Sequence, residues 1–419
     1  MVRLRPLRNP FPFARTSSMQ ATKSLFLLLP LLKEIVTYIM VIAYCLQALH
    51  RRGGIERVIS SKANYWVQHG HTVHIITTDQ RGARPAFDLD DRVQLHDLAL
   101  NYELDNALGR WRRLRALRIK RGEHKRKLEA LLAEIKPDIT VSTFFQDAPL
   151  LPSLRDGSLK VLELHSSKYT RILMYPKNRW LYRLWGVLRV WAEELLSRRY
   201  DRFVILTQEE LKLWKRNKNV IVIPNACPFA PKKIADISSK RAIAVGRFEY
   251  QKNFSSLIDL WALVAKQFPD WELVIMGDGP LRQELQDKIN RLGLEQQIIL
   301  GGISHYIERE YCKSSIYVMS SHYEGLPMVL IEAQAIGLPV VSYACPSGPR
   351  DIVRHGQSGY LIEPGNEQAF AEALAKLMGD EAIRQKMSAE AIRSSERYQI
   401  EPIMAQWEEL FGQLLHTKH

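Results

Sequence analysis

The sequence predicts an α/β protein of two doubly wound domains facing a central cleft. Three observations predict it. Apolar runs at 40–46, 72–77, 92–98, 138–143, 159–164, 203–207 and 220–223 alternate with helical stretches at 55–69, 110–135, 178–199 and 208–216. Strands separated by helices imply a parallel sheet with helices on both faces. A second run of the same kind begins near Arg241, with strands at 241–246, 271–276, 297–300, 316–319, 338–342 and 359–362 and helices near 252–267, 280–292, 327–337 and 366–378. Between them lies Pro224-Asn225-Ala226-Cys227-Pro228-Phe229-Ala230-Pro231, where three prolines in eight residues make a poor helix or central strand and a plausible linker. The expected division is an N-terminal domain over 40–225, a linker over 226–240, a C-terminal domain over 241–396, and a final helix and tail over 397–419. No period of 20 to 50 residues indicates a solenoid.

A chain of 419 residues has ample core for such a pair of domains. Its formal charge of +14 points to an anionic partner: nucleic acid, acidic lipid or a phosphorylated substrate. Cys45, Cys227, Cys312 and Cys345 are scattered with no Cys-x-x-Cys pair, which argues against a disulfide framework or zinc site and fits a reducing compartment.

Residues 1–39 differ from the rest. The first 23 are basic and rich in Pro and Arg, and the apolar run Ser24 to Leu32 is too short to span a bilayer. Extending it to Cys45 would set Lys33 and Glu34 in mid-span. The expected natural start is Met40, and N-terminal sequencing of the native protein tests this.

In the first half, Gly53-Gly54 follows the first strand. Such a pair lets backbone N–H groups approach a phosphate or sugar, and it also reads as a plain flexible turn. Asp88-Leu89-Asp90-Asp91 contains an Asp-x-Asp of the kind that holds a metal in another fold, but it sits in a loop without other ligands, and no metal is expected. Arg110 to Lys127 carries ten basic residues against Glu123, with Trp111, Leu114, Leu117 and Ile119 as a partial apolar side. Trp180 to Trp191 adds interfacial aromatics. Together they suit an anionic membrane surface; the plainer reading is a solvated basic helix followed by a core helix. No recognised nucleic-acid motif appears, so nucleic acid is not an expected partner. His165 ends a strand, and in an open sheet that position faces the ligand crevice, although a structural His fits equally.

In the second half, Gly246 to Asn253 joins a strand to a helix. Arg247 and Lys252 stand five apart across that turn, so both can converge on one anion; a fork and a point charge suit a diphosphate. Gly277-Asp278-Gly279-Pro280 reads as a tight turn with Pro280 at the first helical position. Ile299-Leu300-Gly301-Gly302-Ile303 ends the next strand. The most informative stretch runs from Ser320 to Ala333. A short buried strand, Ile316 to Met319, breaks at a polar loop, and Pro327 opens a helix. The amides of Met328, Val329 and Leu330 then form an anion site. Gly325 allows close backbone approach, with Leu326 beside it. Glu332, in the second turn, can accept from vicinal hydroxyls such as those of a ribose, and Glu324 can reach a sugar beyond the phosphates.

Two glutamates set as Tyr-Glu-Gly-Leu-Pro-Met-Val-Leu-Ile-Glu-Ala resemble the signature of retaining GT-B glycosyltransferases of family four. The run Gly337-Leu338-Pro339-Val340-Val341, then Gly348-Pro349-Arg350-Asp351-Ile352-Val353, Gly356 and Gly359-Tyr360-Leu361-Ile362, continues that pattern. The resemblance covers about residues 40 to 410. It implies that Arg247 and Lys252 hold the donor pyrophosphate, that Gly277 lies at the donor cleft, and that the Gly301 loop holds the base. It further implies that Gly53 and Gly54 face the cleft, that His165 lies near the transferred sugar, and that the last helices cross back to the first domain.

The resulting expectation is a metal-independent hexosyltransferase using a nucleotide-sugar donor, UDP favoured, and a glycan or lipid-linked acceptor in surface polysaccharide or glycolipid synthesis. Its expected catalytic residues are Glu324, His165, Arg247 and Lys252, and its place is the cytoplasmic face of the membrane. A GT-B sugar-nucleotide 2-epimerase and a non-catalytic basic scaffold binding membrane or RNA are the alternatives.

Overall fold

The computed structural model describes residues 39–168, 170–173, 180–304 and 306–418. The expectation for residues 1–38 lies outside them. Two parallel sheets form the body. The first holds β1 (Val41–Leu46), β2 (Thr72–Thr77), β3 (Gln94–Asp97), β4 (Ile139–Ser142), β5 (Leu159–Glu163), β6 (Arg202–Ile205) and β7 (Val220–Val222), in the order β3-β2-β1-β4-β5-β6-β7. The second holds β8 (Arg241–Val245), β9 (Glu272–Met276), β10 (Ile298–Gly302), β11 (Ile316–Met319), β12 (Val340–Tyr343) and β13 (Gly359–Ile362), in the order β10-β9-β8-β11-β12-β13. Every pairing within them is parallel. The central strands are buried on both faces, as crossover helices require, whereas the edge strand β3 is polar and mostly exposed.

Each sheet reverses its order once, between β1 and β4 in the first and between β8 and β11 in the second. Loops on the two sides of such a reversal part at the carboxyl ends of the strands and leave a crevice for ligands. The expected glycine turn follows β1, and the expected basic and acidic loops follow β8 and β11.

The helix Ile400–Lys418 crosses to the first domain, as the resemblance implied. Its Phe411 stacks on Trp66 at 5.6 Å, and Lys62 lies over the Trp407 ring at 4.0 Å. Trp66 and Lys62 belong to the helix Gly54–Gln68, which opens at the cleft.

The helix starts depart from the sequence expectation in instructive ways. Pro327 is the N-cap rather than the first helical residue, and the helix is Met328–Ala335. Pro280 lies in a turn two residues before the helix Arg282–Leu292. The helix expected from 252 starts at Phe254, because Asn253 takes the left-handed conformation at φ 51°. The helix expected over 208–216 is one α-turn, Gln208–Leu211, followed by a 3-10 turn, Lys212–Trp214.

Candidate active site

Hydrogen bonds stitch the loops after β8 and β11 together. Asn253 Nδ2 donates to Ser320 O at 3.1 Å, and Ser320 Oγ donates to Asn253 O at 3.0 Å. The His322 amide donates to Gln251 O at 2.9 Å, and Gln251 Nε2 donates to Tyr323 O at 3.1 Å. Asn253 can make the first bond because its left-handed backbone turns the side chain back toward β11.

That stitching carries Lys252 to Glu324. The ammonium lies 2.7 Å from Oε1, and Gln251 Nε2 approaches Oε2 at 3.3 Å. Arg247 does not join them. It is 78% exposed and pairs with Glu249 at 2.7 Å, so the two cations expected to converge are held by separate carboxylates. The reason is local: Glu249, two residues on, sits within reach of a guanidinium that nothing else fixes.

The helix Met328–Ala335 begins beside this pair. Its first amides have no partner within the helix, which favours an anion at that end. Of the three amides expected to be free, that of Leu330 donates to Pro327 O at 2.9 Å, which leaves those of Met328 and Val329 of the expected three. Leu326 is buried in the core beneath, so it offers the cleft backbone only.

Glu332 is buried one turn further along. Its Oε2 accepts from the Tyr311 hydroxyl at 2.9 Å, and its Oε1 faces Arg57 Nη1 at 3.4 Å. Burial raises its carboxyl above the usual carboxylate range, and the Arg57 guanidinium opposes that rise. Arg57 comes from the opposite domain, in the first turn of Gly54–Gln68. Sequence reasoning missed both Arg57 and Tyr311. Arg57 follows directly on Gly-Gly-x-Glu, and a first-turn residue of a helix that opens at the cleft was the available signal. Tyr311 gave none.

Three glycines serve packing at the cleft. A Cβ on Gly325 would stand 2.8 Å from His165 O, so this residue admits the backbone of the facing domain rather than a ligand. Gly277, at φ +137°, would place a Cβ 1.9 Å from Gly246 O and thereby keeps the Arg247 loop in place. On Gly301 a Cβ would meet Met276 Sδ at 2.4 Å. A groove of about 520 Å³ runs past Gly301 and Ile303, where the base is expected. In the first domain, the Glu56 carboxylate folds over Gly53, while a Cβ on Gly54 would meet nothing within 4 Å.

His165 turns inward. Its side chain is 5% exposed, with Nε2 3.4 Å from Glu163 Oε1. Glu163 is fully buried and also holds the Lys62 ammonium. Burial pushes its carboxyl up, and Lys62 with His165 pulls it further down, to about 2. The imidazole therefore faces a buried carboxylate, a constraint that a strand-end position alone does not reveal. Asp90, from the Asp-x-Asp loop, pairs with Arg92 at 2.8 Å.

Two helices of the first domain present unusual surfaces. In Arg110–Ile135 the carboxyl half packs through His124, Leu128 and Leu132, while Trp111 to Arg115 are all exposed. Trp180–Ser197 is not the core helix of the plainer reading: Trp180, Leu181, Leu184, Trp185, Leu188 and Trp191 are exposed, Trp185 to 72%. Among the described residues, no helix is long and apolar enough to cross a membrane.

The chain is similar to known proteins. The sequence model described as glycosyl transferases group 1 matches residues 230–394, and that described as glycosyl transferase 4-like domain matches residues 53–226. An uncharacterized glycosyltransferase of Haemophilus influenzae is 28% identical over 371 residues, 87% of this chain and 98% of its own length. The amylovoran biosynthesis glycosyltransferase AmsD of Erwinia amylovora is 34% identical over 222 residues, 51% of this chain and 62% of its own length. Among solved structures, S. aureus TarM in complex with fondaparinux, alpha-GlcNAc-glycerol and UDP has a TM-score of 0.73 at 15% identity, covering 89% of this chain and 100% of that one. At that identity the likeness speaks for the fold, which is GT-B. With the two models together spanning both domains, this chain belongs to the group 1 glycosyltransferases.

Proposed function

We propose that this glycosyltransferase is a retaining, metal-independent enzyme that moves a hexose-type sugar from a nucleotide-diphosphate donor, UDP favoured over GDP, to a glycan or lipid-linked acceptor in surface polysaccharide or glycolipid synthesis. The observation that carries the reading is the 2.7 Å Lys252–Glu324 pair set beside the amino end of Met328–Ala335, with Glu332 buried one turn on. AmsD is named for amylovoran biosynthesis and TarM was crystallised with UDP, which supports the acceptor class and the nucleotide.

In this reading the ribose hydroxyls donate to Glu332, and the diphosphate lies across the amides of Met328 and Val329 with Lys252 and Arg247 about it. Glu324 orients the sugar, and His165, turned inward, is held by Glu163. The bond from the anomeric carbon to the phosphate oxygen breaks, and the acceptor oxygen bonds to that carbon on the same face. The acceptor proton passes to the departing phosphate oxygen, and nucleoside diphosphate leaves. Fixed positive charge where negative charge develops is the largest catalytic effect expected of these residues. The cations already in the cleft supply it without a metal.

The reading also places the enzyme on the cytoplasmic face of an anionic membrane. Exposed arginines in Arg110–Ile135 offer charge attraction and exposed tryptophans in Trp180–Ser197 offer apolar contact, the two contributions that interfacial helices combine.

The test is donor turnover. The protein from Met40 onward is incubated with UDP-, GDP- and ADP-sugars, with and without EDTA, and diphosphate release is followed. Slow hydrolysis of a UDP-sugar that EDTA leaves unchanged is the expected result. No release from any donor, together with no donor binding by calorimetry, would overturn the reading.

A further inference from the structure

Arg57 stands where two requirements of the cleft collide. A ribose bound at Glu332 needs a carboxylate oxygen. Oε2 is engaged by the Tyr311 hydroxyl at 2.9 Å, so the oxygen it needs is Oε1, the one facing Arg57 at 3.4 Å. That ion pair is loose, since charge-assisted N–H···O bonds settle at about 2.7–2.9 Å. The guanidinium is also 31% exposed, flanked by the Phe87 and Phe229 rings at 5.9 Å each, so it has room to leave.

The other cations are differently placed. Lys252 is held by Glu324 at 2.7 Å and Arg247 by Glu249 at 2.7 Å. A diphosphate entering the cleft therefore meets two ammonium or guanidinium groups already neutralised, and a third that nucleotide binding itself would free. Removing a cation from a buried carboxylate is costly unless other donors replace it. Two ribose hydroxyls are such donors, and they arrive in the same molecule as the anion that Arg57 needs.

We propose that Arg57 is a donor-binding residue contributed by the N-terminal domain, which exchanges Glu332 for the donor diphosphate when the ribose hydroxyls take Glu332. The inference rests on the reading that Glu332 holds the ribose. It makes the N-terminal domain sense an occupied nucleotide site through one side chain. A static ion pair between domains is the competing account.

The two accounts differ in sign. Uridine carries the ribose and no phosphate; UDP carries both. Arg57→Met keeps the stem between the aromatic rings and removes the charge. By exchange, it tightens uridine about threefold, because the competitor for Glu332 is gone, and weakens UDP about tenfold, because a charge-assisted contact is lost. Arg57→Gln, as a second variant, shifts both in the same directions by less, and Arg57→Lys retains most of the UDP affinity. A fall in both affinities together, or a change in neither, would overturn the exchange. The underlying reading has its own controls, measured by calorimetry on the same full chain: wild-type protein that binds no UDP, or Glu332→Gln that leaves uridine binding unchanged, would refute the ribose site instead.

Discussion

Lys252 and Glu324 meet at 2.7 Å although 72 residues separate them in sequence. The pair exists because β8 and β11 are neighbours at the point where the second sheet reverses. An ammonium held there is fixed before the reaction begins, so it stabilises a leaving diphosphate without reorganising. Replacing it should therefore harm turnover more than binding. Lys252→Ala is expected to lower the rate of diphosphate release by about 10²–10³, the range for losing one preorganised charge-stabilising group. Its UDP affinity should fall by less than that. Steady-state release and calorimetry on the same preparation check the split, and equal losses in both would assign Lys252 to ground-state binding only.

Glu332 should behave in the opposite way. It is buried, and in the proposed pose it lies away from the reacting carbon and accepts from the ribose in ground state and transition state alike. Glu332→Ala is expected to weaken nucleotide binding by about 1.5–3 kcal/mol, with turnover at saturating donor little changed. An unchanged nucleotide affinity would reject the role.

The placement of Glu324 and Glu332 was legible in the sequence because the two glutamates and the helix start lie within one short stretch, where spacing along a strand, loop and helix fixes the geometry. The same holds for the two parallel sheets, whose buried strands are near-continuous apolar runs. What the sequence left hidden came from tertiary neighbours. Arg57 reaches Glu332 from 275 residues away, and Glu163 turns His165 inward through a charge buried beneath it. Arg247 was expected to converge with Lys252 on one anion, yet its orientation is set by Glu249, a choice among neighbouring carboxylates that spacing does not decide. Pro327 caps rather than starts its helix, a shift of one residue that also retires the Leu330 amide from the anion site.

Gly325 tests how closely the domains must approach. Its missing Cβ leaves room for His165 O and Ser166 Cα, which a methyl would meet at 2.8 and 3.0 Å. Both are backbone atoms, so the contact is not relieved by a side-chain rotation. Gly325→Ala is expected to cost about 1–3 kcal/mol, as overpacking does. It should widen the cleft as well. Thermal melting reads the first effect and small-angle scattering the second; an unchanged melting temperature would show that the two loops separate freely.

Asp147 supplies a pH prediction. Burial pushes its carboxyl up to about 7, with a hydrogen bond from Ser142 opposing. In the unfolded chain the same group ionises near pH 4. Below that value both states are protonated and the folded state keeps its full stability. As pH rises from about 4 to about 7 the unfolded state releases its proton first, so the folded state loses stability, by about 4 kcal/mol for a difference of about three pH units. Asp147→Asn mimics the protonated form, and the difference in urea stability between wild type and variant should grow across that window in favour of the variant. A difference that stays constant from pH 4 to 7.5 would mean that Asp147 is ionised in the fold.

The membrane proposal separates charge from apolar contact. Arg112, Arg113 and Arg115 are exposed at the amino end of Arg110–Ile135, far from Glu332 and Lys252 in the chain. Each basic residue near an anionic lipid surface contributes about 1 kcal/mol, so replacing all three by Ser should weaken binding to phosphatidylglycerol-rich vesicles by about 3 kcal/mol at low salt, while uridine and UDP affinities stay as they were. Raising the salt should shrink the gap between wild type and variant, because screening removes the same attraction. Trp185→Ser with Trp191→Ser removes apolar contact instead, and its loss should persist at high salt. Vesicle sedimentation distinguishes the two sets. If the arginine variant sediments with anionic vesicles as well as the wild type does, the basic helix is a solvated surface, and the tryptophans of Trp180–Ser197 face another occupant.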